Sequence, residues 1–212
     1  MFLPLVFRTD NINTLVIGGG KVAYRKVKDL NAAGAELMVI SPRCHPGLET
    51  FIIEKDIDWC KRKFRNGDTD GYSLVIVATD DDKVNQKVST EAKNSGIPIN
   101  VVDKPELSTV YFPATVRKDS LLISVSTEGN APFFAREMKK KISEWVEDGE
   151  WELKAKWAAK LRAFSVAHID KTDQREKLFG KFMELTADEL AEWNFANPPE
   201  DLWKKWFDNL IV

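Results

Sequence analysis

Residues 15–23 read LVIGGGKVA, and this short stretch indicates the fold of the chain around it. Its first three residues form an apolar run without charge, which is typical of a strand buried on both faces. Three glycines follow, and a helical pattern then opens with one face formed by Ala23, Val27, Leu30 and Gly34. A second apolar run at residues 36–40 completes a pattern of strand, glycine loop, helix and strand.

The glycine loop has the spacing G-x-G-x-x-A, with Gly18, Gly20 and Ala23 in the three small positions. In a dinucleotide-binding loop the first glycine permits the tight turn, and the second lets backbone N–H groups approach a pyrophosphate. The third small residue lets helix and strand pack closely, and the helix N-terminus adds partial positive charge. We therefore predict a dinucleotide site, with a purely structural turn as the alternative.

The composition narrows the class of protein. The 212 residues are 43% hydrophobic and 30% charged, and a formal net charge of -2 gives no basic field for nucleic acid. The first residues lack the basic segment of a signal peptide, and no apolar run approaches the roughly 20 residues of a membrane span. Cys44 and Cys60 form no CxxC pattern. We expect a reduced, cytoplasmic setting with no nucleic-acid or membrane partner.

The pattern along the chain predicts two kinds of architecture. Strands are expected at residues 57–64, 74–78 and 97–102, alternating with helices, of which one is capped by Thr79-Asp80. This alternation is typical of a doubly wound parallel sheet. After residue 111 two apolar runs, 111–116 and 121–126, follow each other without a helix, which favours an antiparallel hairpin.

The remainder of the chain reads as helical. A helix begins near Pro132, and from Trp151 onward all apolar spacing is helical, with a capping box at residues 186–189 and a last helix from Asn197-Pro198. Six of the seven tryptophans lie at or beyond Trp145, and we expect them to fill the core of a small helical domain. A floor for a flat macrocycle is the alternative.

The chemistry is expected at the carboxyl ends of the parallel strands, where open α/β sheets bind their ligands. Three segments reach that edge at residues 18–20, 41–43 and 78–80, and a fourth, residues 100–103, ends the last strand. The candidate cofactor-binding residues from this placement are Gly18, Gly19, Gly20, Thr79 and Asp80. Asp103 is the titratable group best placed as a general base beside a hydride acceptor, with an ordinary turn as the alternative.

Residues 41–45 are a further candidate for a ribose or metal site, and their residue types point less clearly to one ligand. Ser41-Pro42-Arg43 stands where an acid would bind the ribose 2′-OH of NAD, so Arg43 either holds a 2′-phosphate or pairs elsewhere. Cys44 and His45 are adjacent, a geometry that seldom puts both on one ion, and we predict no metal site.

Further short motifs stand in a fixed order at residues 3–5, 16–23, 25–26, 78–81, 100–103, 112–114, 124–126, 129, 132 and 135–136. With this order the chain resembles the precorrin-2 dehydrogenase family, the dehydrogenase/ferrochelatase module of siroheme synthases. The resemblance covers essentially the whole length and is strongest from residue 3 to residue 142.

The resemblance implies three parts: an NAD-binding Rossmann domain at residues 1–113, a β-β-α dimerisation element at 114–146 and a helical C-terminal domain at 147–212. The implied fold class is α/β, with a Rossmann-like parallel sheet followed by the two smaller parts. It also implies a homodimer, with NAD contacts at Lys21, Val22, Pro42 and Arg43.

The implied activity is the oxidation of precorrin-2 to sirohydrochlorin with NAD, with Asp103 as the catalytic aspartate; many family members then insert Fe²⁺. The tetrapyrrole carries many carboxylates, and the cations expected near it are Lys104, Arg117, Lys118 and Arg136. Two alternatives stay open. The chain is a dehydrogenase alone, with a separate chelatase, or an NAD-sensing interaction protein without chemistry.

Overall fold

The structure, a computed structural model, describes residues 2–147 and 151–211. The chain divides into two compact units, Met1–Phe112 and Pro113–Val212. The α/β fold class is confirmed by a parallel five-stranded sheet, a two-stranded antiparallel sheet and C-terminal helices. The three-part division, with its second boundary after residue 146, stays a prediction.

The first unit is a parallel sheet with the strand order β3-β2-β1-β4-β5. The strands in chain order, β1 to β5, are Asn13–Ile17, Glu36–Ile40, Asp58–Cys60, Leu74–Val77 and Ile99–Val101. The helices α1 to α3 are Lys21–Ala32, Pro46–Glu54 and Asp82–Asn94. The first βα connection therefore leaves the middle strand of the sheet, which is the position where doubly wound folds bind ligands.

Each face of this sheet is covered by helices because successive side chains of a strand point to opposite faces. Leu15 and Ile17 pack on one face with Val88 and Ala92 of α3. Val16 packs on the other face, with residues of α1 and α2 that include Ala23 and Leu48. Leu15, Val16 and Ile17 of β1 are each at most 2% exposed, which explains the uncharged apolar run in the sequence.

Three local predictions in this unit are wrong. Gly34 does not share the face of α1 but ends the helix in a left-handed conformation, with φ of 82°. The strand predicted at residues 57–64 pairs with β2 only over Asp58–Cys60. The cap of α3 is Asp81, whose carboxylate accepts the N–H of Lys83 at 3.0 Å and that of Val84 at 3.2 Å.

The second unit begins with an antiparallel hairpin, as predicted. Its strands are β6, Ala114–Lys118, and β7, Leu121–Val125, with Thr115 paired to Ser124. The first of these strands begins later than residue 111. Helix α4, Pro132–Glu147, packs on both strands and buries Ala135 and Val146. Its Phe133, Phe134 and Trp145 are more than half exposed.

Helices make up the rest of the second unit. Their bounds, α5 to α8, are Trp151–His168, Thr172–Met183, Ala187–Ala191 and Glu200–Ile211. The last helix begins at Glu200 and not at Asn197-Pro198. Trp157, Trp203 and Trp206 are buried in one cluster with Trp193 packed against them, whereas Trp145 is 52% exposed. Four of the six tryptophans from Trp145 onward therefore belong to this core, whereas Trp145 and Trp151 contact each other with ring centroids 4.7 Å apart.

None of the helices in the described part of the chain combines the length and the apolar content that a membrane span needs.

Candidate functional site

The glycine loop is held against its neighbours by close backbone contacts. Gly18 has a φ of 122°, and a Cβ atom on it would lie 2.1 Å from the carbonyl oxygen of Ala78. A Cβ on Gly19 would lie 2.1 Å from the carbonyl oxygen of Arg43. Both glycines are therefore required by the fold itself, because no side chain fits against these backbone atoms.

Gly20 differs from the other two glycines. It is the N-cap residue of α1 with φ of -77° and ψ of -175°, which any residue adopts, and a Cβ there would meet no non-neighbouring atom of the described residues within 4 Å. The fold alone does not require a glycine at this position. An open approach to the backbone at a helix N-terminus suits an anionic ligand, whose phosphate oxygens accept hydrogen bonds from free N–H groups.

The loop after β2 completes this side of the site. The N–H of His45 donates to the carbonyl oxygen of Gly19 at 2.7 Å, and the hydroxyl of Ser41 donates to the carbonyl oxygen of Arg43 at 2.6 Å. Trp59 donates its indole N–H to the carbonyl oxygen of Ser41 at 2.9 Å. These bonds fix the backbone at residues 41–45 beside the glycine loop.

One cleft of about 530 Å³ opens at the carboxyl ends of β1, β2, β4 and β5. It brings together most of the sequence-predicted cofactor residues, and its lining includes Gly18, Gly19, Gly20, Lys21, Val22, Pro42, Thr79, Asp80 and Asp103. Arg43 does not line the cleft. Its side chain is exposed, and its carbonyl oxygen packs on Gly19.

Asp103 is exposed at the rim where β5 ends, with a φ of 59°. A left-handed aspartate is uncommon but tolerated, because its short polar side chain adopts this region more readily than most. Ser108 fastens the surrounding turn. Its hydroxyl oxygen accepts a hydrogen bond from the N–H of Val101 at 2.9 Å. The same hydroxyl donates to the carbonyl oxygen of Lys104 at 3.1 Å. The backbone conformation that presents Asp103 is thus held by its neighbours.

The loop after β4 is fixed by a buried asparagine. Thr79 and Asn85 share two hydrogen bonds, one between Oγ1 and Oδ1 at 2.8 Å and one from Nδ2 to the Thr79 carbonyl oxygen at 3.1 Å. Asn85 is 3% exposed. Asp81 caps α3, and both Asp80 and Asp81 line the cleft.

Lys63 and Phe64 line the cleft, although the sequence does not predict them there. The sequence predicts both inside a strand at residues 57–64. Phe64 packs against the sheet core, and Lys63 is exposed. The only sequence signal available was the Asn66-Gly67-Asp68 turn directly after them.

The predicted substrate cations lie in different surroundings. The ammonium of Lys104 is 3.2 Å from a carboxylate oxygen of Asp82, and that of Lys118 is 3.5 Å from one of Glu147. Both pairs are largely exposed, so each contributes little stability and leaves the lysine able to exchange partners. Arg117 and Arg136 are exposed in the second unit. Their role in binding substrate stays a prediction.

Cys44 has no features of a nucleophile or a metal ligand. Burial raises the pKa of its thiol to about 11, and the nearby Glu49 carboxylate adds to this rise. The thiol is therefore protonated near neutral pH. Among residues 2–147 and 151–211, no three His, Cys, Asp or Glu side chains are grouped so as to hold one metal ion.

The parallel sheet, the glycine loop and the cleft define a dinucleotide-binding protein of the doubly wound class. Residues 5–114 match the model of a family described as "putative NAD(P)-binding", and because this is just over half of the 212 residues, the chain belongs to that family. A nicotinamide dinucleotide is therefore the class of its cofactor.

The chain is also similar to siroheme synthases. The one from Ectopseudomonas mendocina is 38% identical over 200 residues, which are 94% of this chain and 42% of that protein. The one from Azotobacter vinelandii is 41% identical over 162 residues, 76% of this chain and 35% of that protein. This chain thus spans less than half the length of these relatives. Together with the family match, they confirm the resemblance drawn from the sequence motifs.

A solved structure of SirC, a precorrin-2 dehydrogenase, has a TM-score of 0.73 with this chain at 17% identity, and the match covers 99% of each chain. At that identity the likeness confirms the fold.

Proposed function

We propose that this protein oxidises precorrin-2 to sirohydrochlorin with NAD as the hydride acceptor. The observation that carries the proposal is the cleft, which joins an open glycine loop and the carboxylate of Asp103 in one lining. Siroheme synthases similar to most of this chain support the choice of substrate. The fold likeness to a precorrin-2 dehydrogenase agrees with it.

The cofactor fits the residues that line the cleft. A Cβ atom on Gly20 would meet no non-neighbouring atom of the described residues within 4 Å, and the first turn of α1 begins at Lys21, with N–H groups available for phosphate oxygens. Residues 41–43 stand at the end of β2, where a doubly wound fold receives the adenosine ribose. When bound, NAD supplies the acceptor for a hydride.

We assign Asp103 as the base that accepts the proton in this reaction. Oxidation of precorrin-2 removes two hydrogens, one as a hydride and one as a proton, and the proton needs a base at the reacting end of the cleft. Asp103 lies on the β4–β5 side of the glycine loop, opposite the side expected for adenosine. Its carboxylate takes the proton and later releases it to water through its exposed position.

The cations Lys104, Arg117, Lys118 and Arg136 are proposed to bind carboxylates of the tetrapyrrole. Ammonium and guanidinium groups make strong charge-assisted hydrogen bonds to carboxylates. In this proposal Lys104 leaves Asp82 and Lys118 leaves Glu147 when substrate binds, and both exchanges are inexpensive because these pairs are exposed.

The protein is proposed to act as a homodimer. A hairpin of two strands with one helix is a thin unit, and it leaves Phe133, Phe134 and Trp145 of α4 more than half exposed. Exposed large apolar side chains on one helix are typical of an interface between copies. Sedimentation at micromolar concentration is expected to give twice the mass of the 24.1 kDa chain.

An anaerobic assay in two halves tests the activity. In the first half the protein receives precorrin-2 and NAD, and the absorbance of sirohydrochlorin and of reduced NAD is followed. In the second half it receives sirohydrochlorin with Fe²⁺ or Co²⁺, against a control without protein. We expect turnover in the first half, and its absence there refutes the proposal.

The second half separates the alternatives. Turnover in both halves makes the protein a dehydrogenase and a chelatase that places Fe²⁺ in the macrocycle. Turnover in the first half alone makes it a dedicated dehydrogenase. Stoichiometric NAD binding without turnover in either half makes it an NAD-sensing interaction protein.

A further inference from the structure

The two sides of the cleft differ in charge. Among the described residues that line it, the carboxylates are Asp80, Asp81 and Asp103, and all of them follow β4 or β5. The lining that follows β2 and β3 consists of Ser41, Pro42, Lys63 and Phe64. A cation therefore stands on the side that a doubly wound fold uses for the adenosine ribose.

Ser41 does not replace the acid that usually selects NAD. An acid at the end of the second strand accepts a hydrogen bond from the ribose 2′-OH and repels a 2′-phosphate. Ser41 has no charge, is 6% exposed, and donates its hydroxyl to the carbonyl oxygen of Arg43 at 2.6 Å. Among the described residues that line this end of the cleft, none carries a negative charge that would reject a phosphate at the 2′ position.

The backbone at Lys63 is held by an ion pair beside it. Arg62 makes two hydrogen bonds to the carboxylate of Asp68, at 2.6 Å and 2.8 Å, and donates a third to the carbonyl oxygen of Lys63 at 3.0 Å. The N–H of Arg65 also donates to Asp68 at 2.7 Å. A turn fastened at both ends presents Lys63 at the cleft without a large loss of backbone freedom on binding.

We propose that Lys63 binds a phosphate at the 2′ position of the adenosine ribose and makes no contact with the 2′-OH of NAD, so that the cleft accepts NADP as well as NAD. An ammonium group is a suitable partner for a phosphate. This inference rests on the proposed function in one respect, because it takes the cleft to be the dinucleotide site.

Calorimetric titration of the full chain with NAD and with NADP tests the inference. We expect NADP to bind within about tenfold of NAD, and Lys63→Gln to weaken NADP about tenfold while NAD changes by less than about twofold, as expected for one charge-assisted contact. Lys63→Glu restores an acid on this side and is expected to abolish NADP binding while NAD is retained.

Lys61→Gln is the matched control. Lys61 loses the same charge two residues away, and its ammonium lies 4.3 Å from the ring centroid of Trp59, outside the cleft lining. It is expected to leave both affinities unchanged. NAD binding without NADP binding overturns the inference, and so do equal effects of the Lys61 and Lys63 variants. Failure of both nucleotides to bind refutes the proposed function instead.

Discussion

Replacing Gly20 with alanine separates a glycine needed for a ligand from glycines needed for the fold. In the protein the added methyl group meets nothing within 4 Å, and the backbone angles suit alanine. Alanine is a poorer N-cap than glycine, so the loss of unfolding free energy is expected to stay at or below about 1 kcal/mol. The fold of the variant is expected to be intact.

The same methyl group points into the space proposed for the pyrophosphate. Displacing the phosphates costs at least one hydrogen bond between backbone N–H and a charged oxygen, about 1.5–3 kcal/mol. That loss corresponds to a dissociation constant for NAD raised about 10- to 100-fold. Calorimetric titration with NAD measures the affinity, and thermal denaturation without ligand measures the stability.

Two other glycines calibrate the result. In Gly18→Ala the methyl group would lie 2.1 Å from the carbonyl oxygen of Ala78 at a φ of 122°, so stability falls before binding can be measured. Gly180 lies exposed within α6 with no neighbour within 4 Å, so Gly180→Ala raises stability by roughly 0.5–1 kcal/mol and leaves NAD binding unchanged. An unchanged NAD affinity in Gly20→Ala refutes the placement of the pyrophosphate.

Three further predictions concern the groups that support the cleft. Ser108→Ala removes the hydroxyl that holds the turn carrying Asp103, so we expect kcat to fall several-fold while the affinity for NAD stays unchanged. Ser108→Thr keeps a hydroxyl and is expected to restore kcat; an equal loss of kcat in both variants contradicts this positioning role. Glu91→Gln removes the carboxylate that accepts three hydrogen bonds from Gly67 and Thr69, so we expect the free energy of unfolding, measured by urea denaturation, to fall by about 1.5–3 kcal/mol. Glu54→Gln, at the exposed end of α2, is the control and is expected to change this free energy little. The hydrogen bond from Arg62 lowers the pKa of Asp68, so the ionised Asp68 stabilises the fold above its unfolded pKa of about 4, and this stabilisation is lost as pH falls through the lower folded pKa. In Arg62→Gln the urea midpoint is expected to depend less on pH between pH 2 and pH 6 than in the unaltered protein.

The sheet could be predicted because its strands carry their own signal. Parallel strands buried on both faces are continuous apolar runs, and β1 and β4 appear as such in the sequence. The capping box of α7 is also a local pattern, and Thr186 and Glu189 make both of its hydrogen bonds. Features set by neighbouring residues along the chain were read correctly for this reason.

The third strand was misread because its length depends on a partner. It pairs with β2 only as far as Ile40, where β2 ends, and the chain then turns away into the loop closed by Arg62 and Asp68. An ion pair six residues apart gives no periodic signal. Lys63 lies in the segment wrongly predicted as a strand, so the cation on the β2–β3 side of the cleft could not be predicted.

The cap of α3 shows a different limit. Asp80, Asp81 and Asp82 follow one another, and each is a suitable capping residue by type. Asp81 is the one that caps α3, because its carboxylate accepts the N–H groups of Lys83 and Val84. Asn85 binds Thr79 in the loop before this cap. The residue type alone cannot tell which of three consecutive aspartates caps the helix.

The most direct test of the account is Asp103→Asn, assayed anaerobically with precorrin-2 and NAD. Asparagine tolerates the φ of 59° and keeps the size of the side chain but cannot take the proton. We predict an unchanged dissociation constant for NAD and a rate of sirohydrochlorin formation lowered about 10²- to 10⁴-fold. Formation of sirohydrochlorin at the rate of the unaltered protein would contradict the role of Asp103 and the mechanism built on it.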